Sequence, residues 1–169
     1  ARSIDANVLL VRAGAMYHDI GKTENPQCFV ENEGVGAKYH DGLTPLESAK
    51  MIINHVTDGM RLAEKYNLPT IISDFIITHH GTSCAAYFYN KYIQEGGDPA
   101  NADEFFYKGK KPWTKEQTIL MICDSIEAAS RTLKDTSPET FDKFVESIVA
   151  SKINAGQLDN ADISLKELC

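Results

Sequence analysis

No segment of this 169-residue chain alternates apolar and polar residues long enough to make a half-buried strand. Apolar residues return instead at the three- and four-residue spacing of a helix face, so the expected fold is all-α. Helix starts are explicit. Thr44, Pro45 and Glu47 form a capping box with proline at the first helical position, and Thr114 with Gln117 forms a second box. The pattern predicts helices over 5–18, 44–66, 69–80, 83–94, 114–133 and 137–153, with a short helical piece at 164–168. Two long polar loops separate them. Residues 22–43 carry Pro26, Gly34, Gly36 and Gly42, and residues 96–113 run from Gly96-Gly97-Asp98-Pro99 to Lys110-Lys111-Pro112. Loops of this length in a compact domain are often functional or mobile.

The length fits one domain. A hydrophobic content of 43% and a charged content of 24% are ordinary globular usage. A net charge of −7 argues against coating a nucleic-acid polymer and against a polybasic membrane anchor. A small anionic ligand remains compatible if local cations offset the field. Cys28, Cys84, Cys123 and Cys169 form no CxxC pair, which points to a reduced, cytosolic setting without a disulfide framework. No apolar run reaches the length that spans a bilayer. The chain begins at Ala1 and enters an apolar stretch at 8–11, so it reads as a fragment of a longer protein.

Chemistry concentrates in few residues. His18-Asp19 close the first helix, His55 lies within the Thr44 helix, and His79-His80 end the next. Asp124 interrupts the apolar run Ile119-Leu120-Met121-Ile122-Cys123. A carboxylate on a buried helix face costs several kcal/mol unless it is paired or binds a metal. Asp124 either faces outward, pairs with Arg131 or a lysine, or joins the histidines around divalent ions. Imidazoles and carboxylates suit borderline metals, and one aspartate can bridge two of them, an arrangement that clamps a phosphodiester and ionises a water.

The order His18-Asp19, His55, His79-His80, Asp124 resembles the HD-domain metal-dependent phosphohydrolases. The stretches 17–22, 48–59, 79–82, 112–116 and 124–131 narrow the resemblance to the cytosolic HD domain of the seven-transmembrane HD family, the PgpH type, over residues 5–168. That resemblance implies a single HD domain across 1–169. It implies a phosphodiesterase that hydrolyses cyclic di-AMP to linear pApA through a metal-bridging hydroxide. His18, Asp19 and Asp124 would hold the first ion, with Asp19 bridging, and His55, His79 and His80 the second. Iron or manganese fits a His-rich, carboxylate-bridged site better than zinc. The family's first ligand is a histidine on a helix ahead of the HD pair. Residues 1–17 contain none, so that helix is expected to lie outside this chain. The intact protein would sit in the bacterial inner membrane with this domain in the cytoplasm, and a homodimer is left open. The alternative is a non-catalytic sensor of a cyclic dinucleotide or metal. The Gly-Tyr-Pro signature of HD enzymes that cleave cyclic di-GMP is absent.

Catalytic roles are expected for Asp19, Asp124 and Lys22, the last as a point charge on a phosphate oxygen. Lys22, Thr82, Tyr107 and Lys110 are the expected substrate contacts. Tyr87, Phe88 and Tyr89 read as core or rim packing, His40-Asp41 as a decoy in which His40 faces solvent or orders its loop, and Arg131 as a residue that orders the site or the fold. Cys123 should point about 100° around the helix from Asp124.

Overall fold

The computed structural model describes residues 1–29, 39–135 and 137–168. Gly34 and Gly36 of the first long loop lie outside them. The helices that lie wholly among the described residues are α1 (Val8–Tyr17), α2 (Pro45–Lys65), α3 (Thr70–Thr78), α4 (Ala86–Gln94), α5 (Lys115–Ser130), α6 (Pro138–Asn154) and α7 (Leu165–Leu168). Among the described residues there is no strand, only an antiparallel bridge between Cys84 and Phe106. No helix among them is long and apolar enough to cross a membrane.

Both capping boxes form. The Thr44 hydroxyl accepts from the Glu47 amide at 3.2 Å while the Glu47 carboxylate accepts from the Thr44 amide at 2.9 Å. Thr114 and Gln117 repeat the exchange at 3.2 and 3.3 Å. Such a cap stabilises a helix by about 1 kcal/mol, and these two start the helices that carry His55 and Asp124. The first helix is shorter than the pattern predicts. The Asn7 side chain caps it by accepting from the Leu10 amide, and Asp5 turns left-handed at φ 56°. The helix expected from 83 begins at Ala86, because the Ala85 amide donates to the Phe105 carbonyl at 2.7 Å and ties 83–85 to the second loop. That loop is itself partly helical, with a 3-10 segment at Pro99–Phe105. The first loop likewise contains 3-10 turns at Ile20–Glu24 and Pro26–Cys28. α5 ends at Ser130 rather than Leu133.

α1 packs on α3 and α5, while α2 packs on the turn Ile20–Glu24 and on α3 and α4. The core joins Phe75 and Ile76 of α3, Met121 and Leu120 of α5, and Val56 and Leu62 of α2. Gly14 lets α1 approach closely, since a Cβ there would lie 2.5 Å from the Phe75 ring. Fully buried among these apolar groups are His55 and His79.

Candidate metal centre

Four helices and one 3-10 turn deliver six side chains to one point. His18 is the residue that caps the C-terminus of α1, and Asp19 begins the 3-10 turn after it. His55 comes from the middle of α2, His79 and His80 from the exit of α3, and Asp124 from the middle of α5. The turn carrying Asp19 lies directly on α2, backbone against backbone. A Cβ on Gly21 would stand 1.8 Å from the His55 carbonyl oxygen. Only glycine permits that approach.

Two groups of donors result, His18-Asp19-Asp124 and His55-His79-His80, each with its ligand atoms within 4.8 Å of one another. Both carboxylates reach toward both groups. Asp19 Oδ2 is 3.2 Å from His18 Nε2, while its Oδ1 is 3.3 Å from His55 Nε2 and 3.5 Å from His79 Nε2. Asp124 Oδ1 is 3.5 Å from His18 Nε2, and its Oδ2 is 3.7 Å from His80 Nδ1.

The ring tautomers follow from the backbone. A carbonyl can only accept, so Nδ1–H of His18, His55 and His79 donates to Ala15, Ile52 and Ile76 at 3.0, 2.6 and 2.8 Å. In the neutral ring this leaves Nε2 as a bare lone pair. The Nε2 atoms of His55 and His79 are 3.0 Å apart, and both face Asp19 Oδ1. Three acceptors converging with no hydrogen between them repel one another unless a cation stands there. Asp19 Oδ1 and His18 Nε2 are also buried without a hydrogen-bond partner. The donor set, with Nδ1 held by outer carbonyls as in metal-ligating histidines, therefore fits divalent metal.

The titration behaviour agrees. Burial alone would lower the pKa of His18, but the carboxylates of Asp124 and Asp19, 3.5 and 3.2 Å from its Nε2, outweigh it and raise it to about 10. The two carboxylates thus demand positive charge at this spot. Burial pushes His79 down and His80 well down, keeping both neutral as ligands require. Asp19 lies far below the usual carboxylate range. Burial opposes that shift, and the imidazoles of His18, His55 and His79 overcome it.

A cavity of about 540 Å³ opens over the cluster, within the range of small-molecule sites. Lys22 lines it, its ammonium 2.7 Å from Asp19 Oδ2 and above the Phe29 ring. Tyr107 is buried and stacks on His80, with ring centroids 4.2 Å apart. Thr82 and Lys110 do not line this cavity. The Thr82 amide donates to Gln157 Oε1 at 2.9 Å. The Gly109 and Lys110 amides bond to the carbonyls of Gly81 and Ile77, which pins the loop to the end of α3 and leaves Lys110 exposed. Cys123 is exposed, as its angle from Asp124 requires. Asp124 does not pair with Arg131, whose guanidinium is bidentate on Glu127 at 2.9 and 3.0 Å.

Further residues line the cavity beyond the expected substrate contacts. Tyr87 and Phe88 line it together with Lys91, whereas Tyr89 packs on Phe105. The spacing of 87, 88 and 91 places them on one face of α4, and that was the available signal. His40 also borders the cavity, and its Nε2–H donates to the Cys28 carbonyl at 2.8 Å.

Comparison with known proteins places these residues in a family. The HD domain family model matches residues 1–129. The cyclic-di-AMP phosphodiesterase PgpH of Bacillus subtilis (strain 168) is 42% identical over 166 residues, which cover 98% of this chain and 23% of that protein. PgpH of Listeria monocytogenes serotype 1/2a is 40% identical over 168 residues, covering 99% of this chain and again 23% of the relative. The chain thus spans about a quarter of the length of these curated relatives. The crystal structure of the L. monocytogenes PgpH HD domain in complex with cyclic-di-AMP is 39% identical. It superposes with a TM-score of 0.93 over 99% of this chain and 78% of that one. A second crystal structure of that HD domain gives a TM-score of 0.88 at 38% identity.

Proposed function

The chain belongs to the HD domain family, and on that premise we propose that it is a metal-dependent phosphodiesterase that opens cyclic di-AMP to linear pApA. The observation that carries this reading is the pair of three-donor groups with Asp19 directed into both. The name of the relatives and the cyclic-di-AMP complex of the related domain support the substrate. In this reading two divalent ions, iron or manganese, are held by His18-Asp19-Asp124 and His55-His79-His80. The domain works on the cytoplasmic side of the bacterial inner membrane, anchored through parts of the protein outside this chain.

Bound ions would supply Lewis acidity toward the diester and lower the pKa of an attacking water. The chain's own groups do the rest. The carbonyls of Ala15, Ile52 and Ile76 fix three imidazoles in the ligand tautomer. Lys22 holds Asp19 Oδ2 and faces the cavity, where its charge can also meet a phosphate oxygen. Tyr107 covers His80 and excludes water from its buried side. Phe88 and the exposed Tyr87 offer apolar faces to a base, and Lys91 and Arg131 add positive charge at the rim of an acidic chain.

The test uses the full-length protein loaded with Mn²⁺, following cyclic di-AMP by chromatography with cyclic di-GMP and a nucleoside triphosphate alongside. The expected result is selective formation of pApA that disappears in Asp19→Ala. Tight binding of cyclic di-AMP without turnover would overturn the enzyme reading and leave a sensor.

A further inference from the structure

Behind Tyr107, which forms a wall of both spaces, lies a second cleft of about 820 Å³. Lys108, Lys111 and Lys152 line it with the Ser83 hydroxyl and the Phe106 ring, against the carboxylate of Asp103. Three lysines around one cleft stand out in a chain of net charge −7. Their partners are unequal. Lys111 has a carboxylate, exposed Asp159 at 2.9 Å. Among the described residues, Lys108 donates only to the backbone carbonyl of Asp103 at 2.7 Å, and Lys152 only to the Ser83 hydroxyl at 3.2 Å.

Lys152 is the informative member. The last turn of α6 carries it inward, where it is half-buried. Burial lowers the pKa of its ammonium, and the opposing field comes from Asp124 of the metal centre. Among the described residues no carboxylate lies within ion-pair distance of it. A desolvated ammonium without a counter-ion is unfavourable, and an anion in the cleft would offset that cost. The surrounding frame is held in place. Buried Gln157 accepts from the Thr82 amide at 2.9 Å and donates to the Thr82 hydroxyl at 3.0 Å. The Tyr107 amide donates to the Ser83 carbonyl at 2.9 Å. Ser83 and the lysine-bearing loop therefore face the cleft from fixed backbone.

We propose that this cleft is a second anion site, binding a small phosphate monoester through Lys152, Lys108 and the Ser83 hydroxyl with Phe106 alongside. A tetrahedral dianion matches several converging donors and more than one positive charge, which a single carboxylate does not. Tyr107 separates this site from the metal centre, and its ring on His80 makes it the shared wall. The inference goes beyond the catalytic reading and does not depend on it.

The test is a residue-resolved amide NMR titration of the metal-free 169-residue chain, first with inorganic phosphate and then with a nucleoside monophosphate. Saturable shifts are expected at 83, 108 and 151–157. Lys152→Met should weaken binding about tenfold or more, the effect of losing one charge-assisted hydrogen bond. Lys108→Gln, at an exposed position, should weaken it as well while the rest of the spectrum superposes on the parent. Tighter binding of the monophosphate with an added shift at Phe106 would identify a nucleotide as the ligand, and equal binding would identify phosphate itself. Shifts centred on 18–22 and 55, no saturable shift, or unchanged affinity in both variants would each overturn the proposal.

Discussion

Gly21 is the position where one methyl group should do most damage. A Cβ there would stand 1.8 Å from the His55 carbonyl oxygen and 2.5 Å from the Gly59 amide nitrogen. Both atoms are helix backbone, so no side chain can swing aside. Bringing the first contact out to 3.0 Å, below which real Cβ contacts essentially never fall, requires the turn Ile20–Glu24 to lift from α2 by about 1.2 Å. Asp19 lies two residues away, with Oδ1 at 3.3 and 3.5 Å from His55 and His79. A shift of that size is several times the ~0.2 Å tolerance of metal–ligand distances. Overpacking that side chains can relieve costs about 1–3 kcal/mol, and backbone-on-backbone contact belongs at or above the top of that range. Gly21→Ala should therefore lose about 3 kcal/mol, even though reduced unfolded-state freedom returns up to about 1 kcal/mol. For a domain of this size that corresponds to a fall in Tm of about 6–12 °C. Two controls grade the effect. Gly59→Ala meets a side-chain methyl, Ile76 Cγ2 at 2.8 Å, rather than backbone and regains about 1 kcal/mol of helix propensity, so its loss should be smaller. Gly42→Ala meets nothing within 4 Å and should stay within about 0.5 kcal/mol. The assay is thermal unfolding together with metal content by mass spectrometry. A Gly21→Ala protein that melts with the parent refutes the packing argument. One that melts lower yet holds its full metal refutes the link from packing to site.

Thr114→Ala removes the cap of the helix carrying Asp124 and should cost about 1 kcal/mol in urea unfolding; no loss would mean that the box is ornamental to α5. Mn²⁺ at about 100 times its Kd should stabilise the fold by about 2.7 kcal/mol, seen as a raised Tm that chelation reverses. The same gain in Asp19→Ala would place the ion elsewhere. The Lys115 ammonium, with the Ser164 amide and hydroxyl, holds the Glu167 carboxyl at about 2 against an ordinary 4.5. Because the folded value is the lower one, the contribution is complete above pH 4.5 and is lost as pH falls from there through about 2. The urea-midpoint gap between the parent and Glu167→Gln should close across that window, and a gap that persists unchanged at pH 2 would rule out this pair as its source.

The helices were legible because their signals are local. Thr44 and Thr114 announce themselves through residues three positions on, and the helical period needs only a short window. The six metal-centre candidates were legible for a different reason: His and Asp in apolar or helix-end settings are costly unless they have a purpose, and Asp124 within 119–126 shows that cost openly. What the sequence could not show depends on contacts far along the chain. Thr82 read as a substrate contact because it follows His80, yet Gln157, 75 positions on, takes its amide. Lys110 read as a phosphate ligand because it sits in a basic loop, yet backbone bonds to Ile77 and Gly81 orient that loop. Tyr87 and Phe88 resembled packing residues because nothing in α4 reveals which of its faces lies over a cavity. Lys152 gave no signal, since a lysine near a helix end is ordinarily a solvated one.

The elements also explain electrostatically why the centre forms where it does. α1 ends at Tyr17 and α3 at Thr78, so both helices present their C-termini, the negative ends of their dipoles, to the cluster. Their terminal turns supply the Ala15 and Ile76 carbonyls that orient His18 and His79. To these the fold adds two carboxylates, Asp19 and Asp124, and at least three imidazole lone pairs. The nearest ammonium, on Lys22, neutralises one carboxylate oxygen. The sum is a buried, strongly negative point, which accounts for the pKa of His18 rising to about 10 despite its burial. Such a point attracts cations and repels a phosphodiester. Under the proposed function, a cyclic dinucleotide would meet a favourable field over this cluster only after positive charge had been installed beneath it. Lys91 and Arg131 at the rim would draw the anion toward the cavity, and the proposed chemistry would wait for the metal.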